Sequence, residues 1–522
     1  MKKTVKKIAA VGLTLTSVMG LVACGSTSPS TASTAKKEIT KPDKFKVMAD
    51  GTVVTEANGA QAFYDSIKNS TGLDIEWVRP DHSGYYDAVG NAFNADDTMP
   101  DVVILSADYY ASFASSGFLW NMTDAWANSD TKASGRLIST ADNVLKALNV
   151  VGGDGKTGMY GFSPYRGNGC CTYIKESWLT AAGYKAADVQ GKTLSFSEYY
   201  AMLKKMKEAN GGKTVISSPG FIADEAPYTN YLPEFYQQAN YTFYKDSTGK
   251  YVDGFSTQAM KDALTRIATG VKDGVIDKES INNSTANCRD KFYADNSGVF
   301  TYWAGTWAET LAANLKTKGL NANLVAINPI KELGTYVERI APAWCITTHA
   351  KNPDGIFKYF IDKMLDGGDV QMAWTYGAKG THWDTKAESV TLKGKESDVK
   401  TYTEGQFHFL PSPEKPTTLM QKNHIDPILS LATFTAGDPG AASLTALAKE
   451  NGEFFAKNST VAVPVPQTEE LGDNIADINT QRKNIVAKVA SGELTADQGI
   501  TEYNNKVGTL VKEVLDSLNK AK

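Results

Sequence analysis

From residue 45 onward, apolar positions fall into short clusters whose spacing switches between two periods. Phe45-Lys-Val-Met48 is a compact strand-like run. Residues 57–70 place Phe63, Tyr64 and Ile67 at helical spacing. Leu73-Asp-Ile-Glu-Trp-Val78 alternates with period two and stops at Pro80, which predicts a second strand. Residues 84–95 return to a helical pattern. Pro100-Asp101 then opens onto Val102-Val-Ile-Leu105, a continuous apolar run of the kind a parallel sheet buries on both faces.

The same alternation recurs further on. Ser195 stands three residues before Glu198, the spacing of a capping box, and predicts a helix through Glu208. Residues 257–273 form another helix, and Ser297-Gly-Val-Phe-Thr301 is a strand leading into Trp303. Residues 353–366 begin Asn-Pro and carry Ile356, Phe357, Phe360, Ile361, Met364 and Leu365 on one helical face. Residues 495–519 are an amphipathic helix bearing Ile500, Tyr503, Val507, Leu510, Val511 and Val514. Short strands alternating with longer helices define an α/β protein.

The first two dozen residues follow different rules. Lys2, Lys3, Lys6 and Lys7 precede an uncharged apolar run from Ile8 to Ala23. A comfortable membrane span needs about 20 apolar residues, so this run suits a secretory leader better than an anchor helix. It ends in Leu21-Val-Ala-Cys24-Gly25, which resembles the lipobox of bacterial lipoproteins. That resemblance implies cleavage of residues 1–23 and acylation of Cys24, with two acyl chains supplying stable anchoring. Residues 25–44 are rich in Ser, Thr, Ala and Lys and read as a flexible tether.

Composition narrows the remaining choices. The 522-residue chain carries a formal charge of −4, and loss of the four leader lysines leaves a body of about −8. With no basic block to offset it, nucleic acid is excluded as a partner. Aromatic residues are plentiful: 24 Tyr, 20 Phe and 9 Trp. Beyond Cys24 there are Cys170, Cys171, Cys288 and Cys345, read as buried thiols or as one long-range disulfide. Their spacing does not match a zinc site, and neither metal nor cofactor is expected.

Several motifs taken in order resemble the bacterial extracellular solute-binding proteins of family 1, the maltose-binding-protein-like class of ABC sugar importers, in its long lipoprotein branch. They are Thr98-Met-Pro-Asp-Val-Val-Ile104, Gly117-Phe-Leu-Trp-Asn-Met-Thr-Asp124 and Asp154-Gly-Lys-Thr-Gly-Met-Tyr-Gly-Phe-Ser-Pro164. Thr172 to Tyr184, Asp273-Gly-Val-Ile-Asp277, Lys351-Asn-Pro353 and Tyr376 to Trp383 continue the series. Cys170-Cys171 departs from the pattern, where the family has ordinary apolar or aromatic residues.

The resemblance implies a two-lobed periplasmic-binding-protein-like fold of type II, with discontinuous lobes joined by a three-segment hinge. Residues 45–161 and 344–405 would form lobe 1, and 162–343 and 406–522 lobe 2. The crossings would fall near Tyr160–Phe162, near Ala341–Trp344, and between about 395 and 410. It further implies a monomer at the cell surface that holds an oligosaccharide or other small solute for ABC permease subunits, without catalysis.

A sugar offers apolar ring faces and a polar rim, so its binder needs flat aromatic platforms beside in-plane donors and acceptors. Phe300-Thr-Tyr-Trp-Ala-Gly-Thr-Trp307 is the densest supply, and Trp303 and then Trp307 are the first candidates. Tyr165 and Arg166 follow the hinge strand, while Asp108 and Tyr109 follow the buried strand ending at Leu105. Trp344 at the second crossing and Trp383 beside His382 complete the set, and Arg79, Asp81 and His82 are further cleft candidates.

Gly153-Asp-Gly-Lys156-Thr157 lacks the first glycine of a phosphate loop and reads as a hairpin turn. Asp246 to Asp253 places Lys250 where a calcium loop needs an oxygen ligand, and also reads as a hairpin. Two rival functions remain. One is a secreted glycoside hydrolase or polysaccharide lyase, which needs carboxylates converging across a cleft. The other is a sensory or structural surface lipoprotein.

Overall fold

The computed structural model describes residues 38–520 apart from 51–54, 82–83, 136–144, 165–166, 223–228, 398, 421–444, 464 and 467. In chain order the elements that frame the site are β1 (Phe45–Met48), α1 (Ala60–Thr71), β2 (Ile75–Val78), α2 (Tyr85–Ala92), β3 (Val102–Leu105) and α3 (Ala107–Ser115). There follow β4 (Cys170–Lys175), α4 (Phe196–Ala209), α5 (Gln258–Lys272), β5 (Val299–Trp303), α6 (Thr306–Thr317), β6 (Leu324–Ala326) and β7 (Ala343–Ile346). Helices α7 (Ala446–Asn458), α8 (Glu469–Ala490) and α9 (Ala496–Lys520) close the sequence.

These strands form two sheets. The first has the order β7-β3-β1-β2. Strands β1, β2 and β3 run parallel, with Phe45 opposite Ile75 and Val47 opposite Val102. Strand β7 returns antiparallel, with Ala343 opposite Leu105. All four residues of β3 are buried, as a continuous apolar run requires. The second sheet has the order β6-β4-β5, antiparallel throughout, with Cys170 opposite Trp303.

Each sheet carries its own hydrophobic core. The first includes Val47, Phe63, Tyr110, Phe162, Trp344, Phe360 and Met420. The second includes Tyr173, Met202, Leu264, Phe300, Leu311, Ile485 and Tyr503. The architecture is a two-lobed α/β fold of the periplasmic binding type.

Local chemistry sets the boundaries. The capping box opens α4, with Ser195 Oγ accepting from the Glu198 amide and Glu198 returning to the Ser195 amide. Both tempting loops are hairpin turns, between Asn149–Val151 and Thr157–Met159 and between Phe243–Lys245 and Tyr251–Asp253. The helix expected over 353–366 is wound unevenly, α over Pro353–Ile356, π over Phe357–Ile361 and 3₁₀ over Asp362–Leu365. Among the described residues no helix is long and apolar enough to cross a membrane.

The crossings between cores are built from backbone. Phe162 and Trp344 exchange two hydrogen bonds, at 2.9 and 2.8 Å. Six residues further along the first segment, the Asn168 carbonyl accepts from the Arg339 amide at 2.9 Å. The two strands approach so closely that only glycine fits: a Cβ on Gly167 would lie 1.8 Å from the Arg339 carbonyl oxygen, and one on Gly169 2.3 Å from that of Val337.

The third crossing is not where the sequence suggested. Residues 406–420 stay with the first core instead of opening lobe 2. Leu410 N donates to His382 O, Ser412 Oγ donates to Asn58 Oδ1 at 2.8 Å, and Met420 is fully buried among first-core residues. A polar turn held by two buried partners outcompetes an early exit. The chain is in the first core at Met420 and in the second by Leu447 and Phe455, with Val461 and Ala462 touching the first core again.

Candidate functional site

Trp303 ends β5, half-buried, beside the crossing strands. Gly305 turns the chain sharply (φ 73°, ψ −124°), a conformation that L side chains resist, and α6 starts at once with the half-buried Trp307. Three polar side chains clamp this turn from elsewhere in the sequence. Asn168 Nδ2 donates to Ala304 O at 3.1 Å, and Asn451 Oδ1 on α7 accepts from Gly305 N at 2.7 Å. Tyr173 Oη lies 3.1 Å from Trp303 O and 2.8 Å from Asn451 Oδ1. Trp307 meets Tyr302 edge-to-face at 5.9 Å.

The first lobe supplies a second aromatic pair. Tyr86 on α2 and Tyr109 on α3 stack at 4.2 Å and 18°. Tyr86 Oη accepts the Ser106 amide at 2.8 Å, which pins the ring to the end of β3, where open α/β sheets bind ligands. Arg339, on the second crossing, lies beside the first of these pairs. Its guanidinium lies 5.0 Å from the centre of the Trp303 indole, and its Nε donates to Gly167 O at 2.9 Å. Burial raises the Tyr86 phenol, and among the smaller influences Asp50 adds to that rise while Arg339 opposes it.

Two candidates read from sequence are corrected. Trp344 is fully buried at the centre of the first core, edge-to-face with Phe360 at 6.0 Å and Trp374 at 5.1 Å. Strand β7 is covered on both faces, so the indole at the hinge fills the lobe and offers no platform. Trp383 is 7% exposed, stacks on Phe407 at 5.3 Å and spends its Nε1 proton on Gly377 O. It closes a satellite core with Met372 and Tyr376.

His382 beside it is likewise structural: Nδ1 accepts from Ala378 N and Nε2 faces Asn58 O, both at 2.7 Å. That pairing selects the neutral Nε2–H tautomer, and burial holds the ring pKa below its usual value. Arg79 pairs with Glu56 and lies over Tyr64. Cys24, His82, Tyr165 and Arg166 lie outside the described residues, as does the side chain of Asp108.

The remaining chemistry points away from nucleophilic catalysis. All four described cysteines are buried free thiols. Burial pushes the Cys171 thiol up to about 12 and Cys288 to about 11, leaving both protonated at neutral pH. Glu234, fully buried behind β4, is raised to about 7 by desolvation, with Tyr336 Oη 3.5 Å from Oε1. Among the described residues no three His, Cys, Asp or Glu side chains gather as metal ligands would.

Missed from sequence were Arg339, Tyr86, Asn168 and Asn451. The doublet Tyr85-Tyr86 at a helix start was a usable signal for Tyr86, because one ring of the pair must face away from the core. The three polar residues carried none.

A two-lobed α/β body of this kind is the fold of the extracellular solute-binding proteins, and solved structures of that class match over nearly the whole chain. The family 1 protein from Alicyclobacillus acidocaldarius aligns with TM-score 0.56 and 16% identity, covering 93% of this chain and all of that one. The N-glycan transport solute binding protein NgtS of Streptococcus pneumoniae aligns at 0.59 and 15%, covering 92% and 98%. The sugar-binding protein MalE of Xanthomonas citri aligns at 0.58 and 16%, covering 90% and 98%. A curated relative, the polygalacturonan/rhamnogalacturonan-binding protein YtcQ of Bacillus subtilis (strain 168), is 22% identical over 492 residues, 87% of this chain and 86% of its own length. No family model matches the chain.

Proposed function

We propose that this protein is the solute-binding component of an ABC importer, anchored outside the membrane through a lipid on Cys24, and that it binds an oligosaccharide reversibly. The carrying observation is the Trp303 indole of the second lobe lying under the Arg339 guanidinium of the crossing, with a second aromatic pair, Tyr86–Tyr109, at the end of β3 in the first lobe. Rigid rings bind sugar faces at low entropic cost. By analogy with base–aromatic stacking, each platform contributes about 1–3 kcal/mol. The matched proteins are named as binders of glycans and sugars, which supports this ligand class.

Closure works by population shift: a ligand that contacts both lobes favours the closed form by its differential affinity for that form. Nothing in this cycle requires bond making, so we assign no catalytic role. A thermal-shift screen against oligosaccharides tests the proposal. A ligand at about 100 times its Kd should raise Tm by about 3 °C. Trp303→Ala should abolish that rise. Flat melting curves across a broad panel would remove the oligosaccharide assignment.

A further inference from the structure

Every arginine among the described residues has hydrogen-bond partners, but the partners differ in kind. Arg79 pairs with Glu56 and Arg482 with Asp253. Arg266 donates to the carbonyls of Phe235 and Tyr236, and Arg289 donates to Tyr302 Oη. Arg339 spends only its Nε, on the Gly167 carbonyl. Among the described residues its Nη1 and Nη2 make no hydrogen bond or ion pair, although the side chain is half-buried and lies over the Trp303 indole.

The Nη1/Nη2 edge is open to solvent and so open to a ligand, which can replace water with a charge-assisted hydrogen bond. The bond to Gly167 and the contact with Trp303 fix its position, leaving the planar Nη1/Nη2 edge as a two-pronged donor. That edge matches a carboxylate bidentately and is poorly used by a lone hydroxyl. The rest of the molecule works against an anionic ligand, because the body carries about −8 once the leader lysines are gone. A local cation therefore has to supply the attraction.

We infer that Arg339 makes this site selective for saccharides bearing a carboxylate on the pyranose ring: a sugar stacked at Trp303 brings its carboxylate onto the free Nη1/Nη2 edge. This rests on the oligosaccharide reading above and narrows it. Arg339 is the specificity-determining residue, and Trp303 the platform that sets the distance.

The test compares matched pairs by calorimetry on the full chain: trigalacturonate against its methyl ester, and 3′-sialyllactose against lactose. The two pairs separate a uronic acid from a sialic acid as the source of the carboxylate. In at least one pair the acid should bind about tenfold or more tighter than its neutral partner. That advantage should shrink as salt rises. In R339Q the acid-to-neutral ratio should fall towards one, and R339K should recover only part of it. Equal affinity within both pairs, or an unchanged ratio in R339Q, overturns the inference. Should R339Q fail to fold, the wild-type ratios decide alone. Binding by neutral sugars only overturns carboxylate selectivity and leaves the oligosaccharide reading standing, whereas no binding by any sugar removes both.

Discussion

Asn451 Oδ1 accepts the Gly305 amide at 2.7 Å, so a residue on α7 holds the turn that presents Trp303. The same oxygen faces Tyr173 Oη. Asn451→Leu keeps the approximate volume but orphans the Gly305 amide, which then carries a desolvation cost of about 1–3 kcal/mol, while Tyr173 Oη keeps only the Trp303 carbonyl. We expect lower stability in urea and weaker ligand binding, with the binding loss persisting at temperatures where the variant is fully folded.

Gly167 has no room for a methyl group, since the obstacle is the Arg339 backbone carbonyl and not a movable side chain. Gly167→Ala should separate the crossing strands and break the bond from Arg339 Nε. A loss of several kcal/mol is expected, at the upper end for single substitutions. Amide exchange at Arg339, whose N–H bonds to Asn168 O, should accelerate more than exchange in β1 or β3.

Trp344→Ala removes a fully buried indole from the first core, and a cost of about 3–5 kcal/mol follows for such a truncation. Chemical denaturation measures it. In variants that remain folded, ligand affinity should change far less than in Trp303→Ala, because Trp344 has no open face.

Two buried groups respond to pH with opposite sign. His382 is held neutral, with a folded pKa below the usual value, so the unfolded chain binds its proton first. Its contribution is complete above pH ~6.5 and drains away as pH falls below that value. Glu234 is raised to about 7, so its contribution is complete below pH ~4.5 and is lost as pH rises through 7. E234Q should therefore stabilise the protein above pH 7, by up to about 3 kcal/mol, and bring no such gain at pH 4.5. Unfolding free energies at both pH values check this, and a gain at pH 4.5 matching that at pH 8 would refute the assignment.

Legibility in the sequence followed how directly burial is written into residue type. Strands β1 and β3 were readable to the residue because each is an apolar run with polar neighbours and proline as borders. The strand expected at 297–301 lies two residues later, at Val299–Trp303, while Gly298 before it packs under Trp178, where a Cβ would lie 2.3 Å from the ring. Helix α8 escaped notice because its buried face carries Arg482, paired with Asp253 at 2.8 Å, which interrupts the apolar period. Trp344 and Trp383 were misassigned because an indole that fills a core and one that faces a ligand have identical sequence signatures. Arg339 was invisible for the opposite reason: the adjacent charges Glu338-Arg339 before an apolar segment read as solvated.

The turn behind Trp303 is tied by bonds spanning 136, 146 and 278 residues. Such distant pairings form late and slowly. The turn behind Trp303 thus matures only when the chain is nearly complete: a premature stop ahead of residue 451 leaves every strand of the second sheet present and the Gly305 amide without its partner on α7.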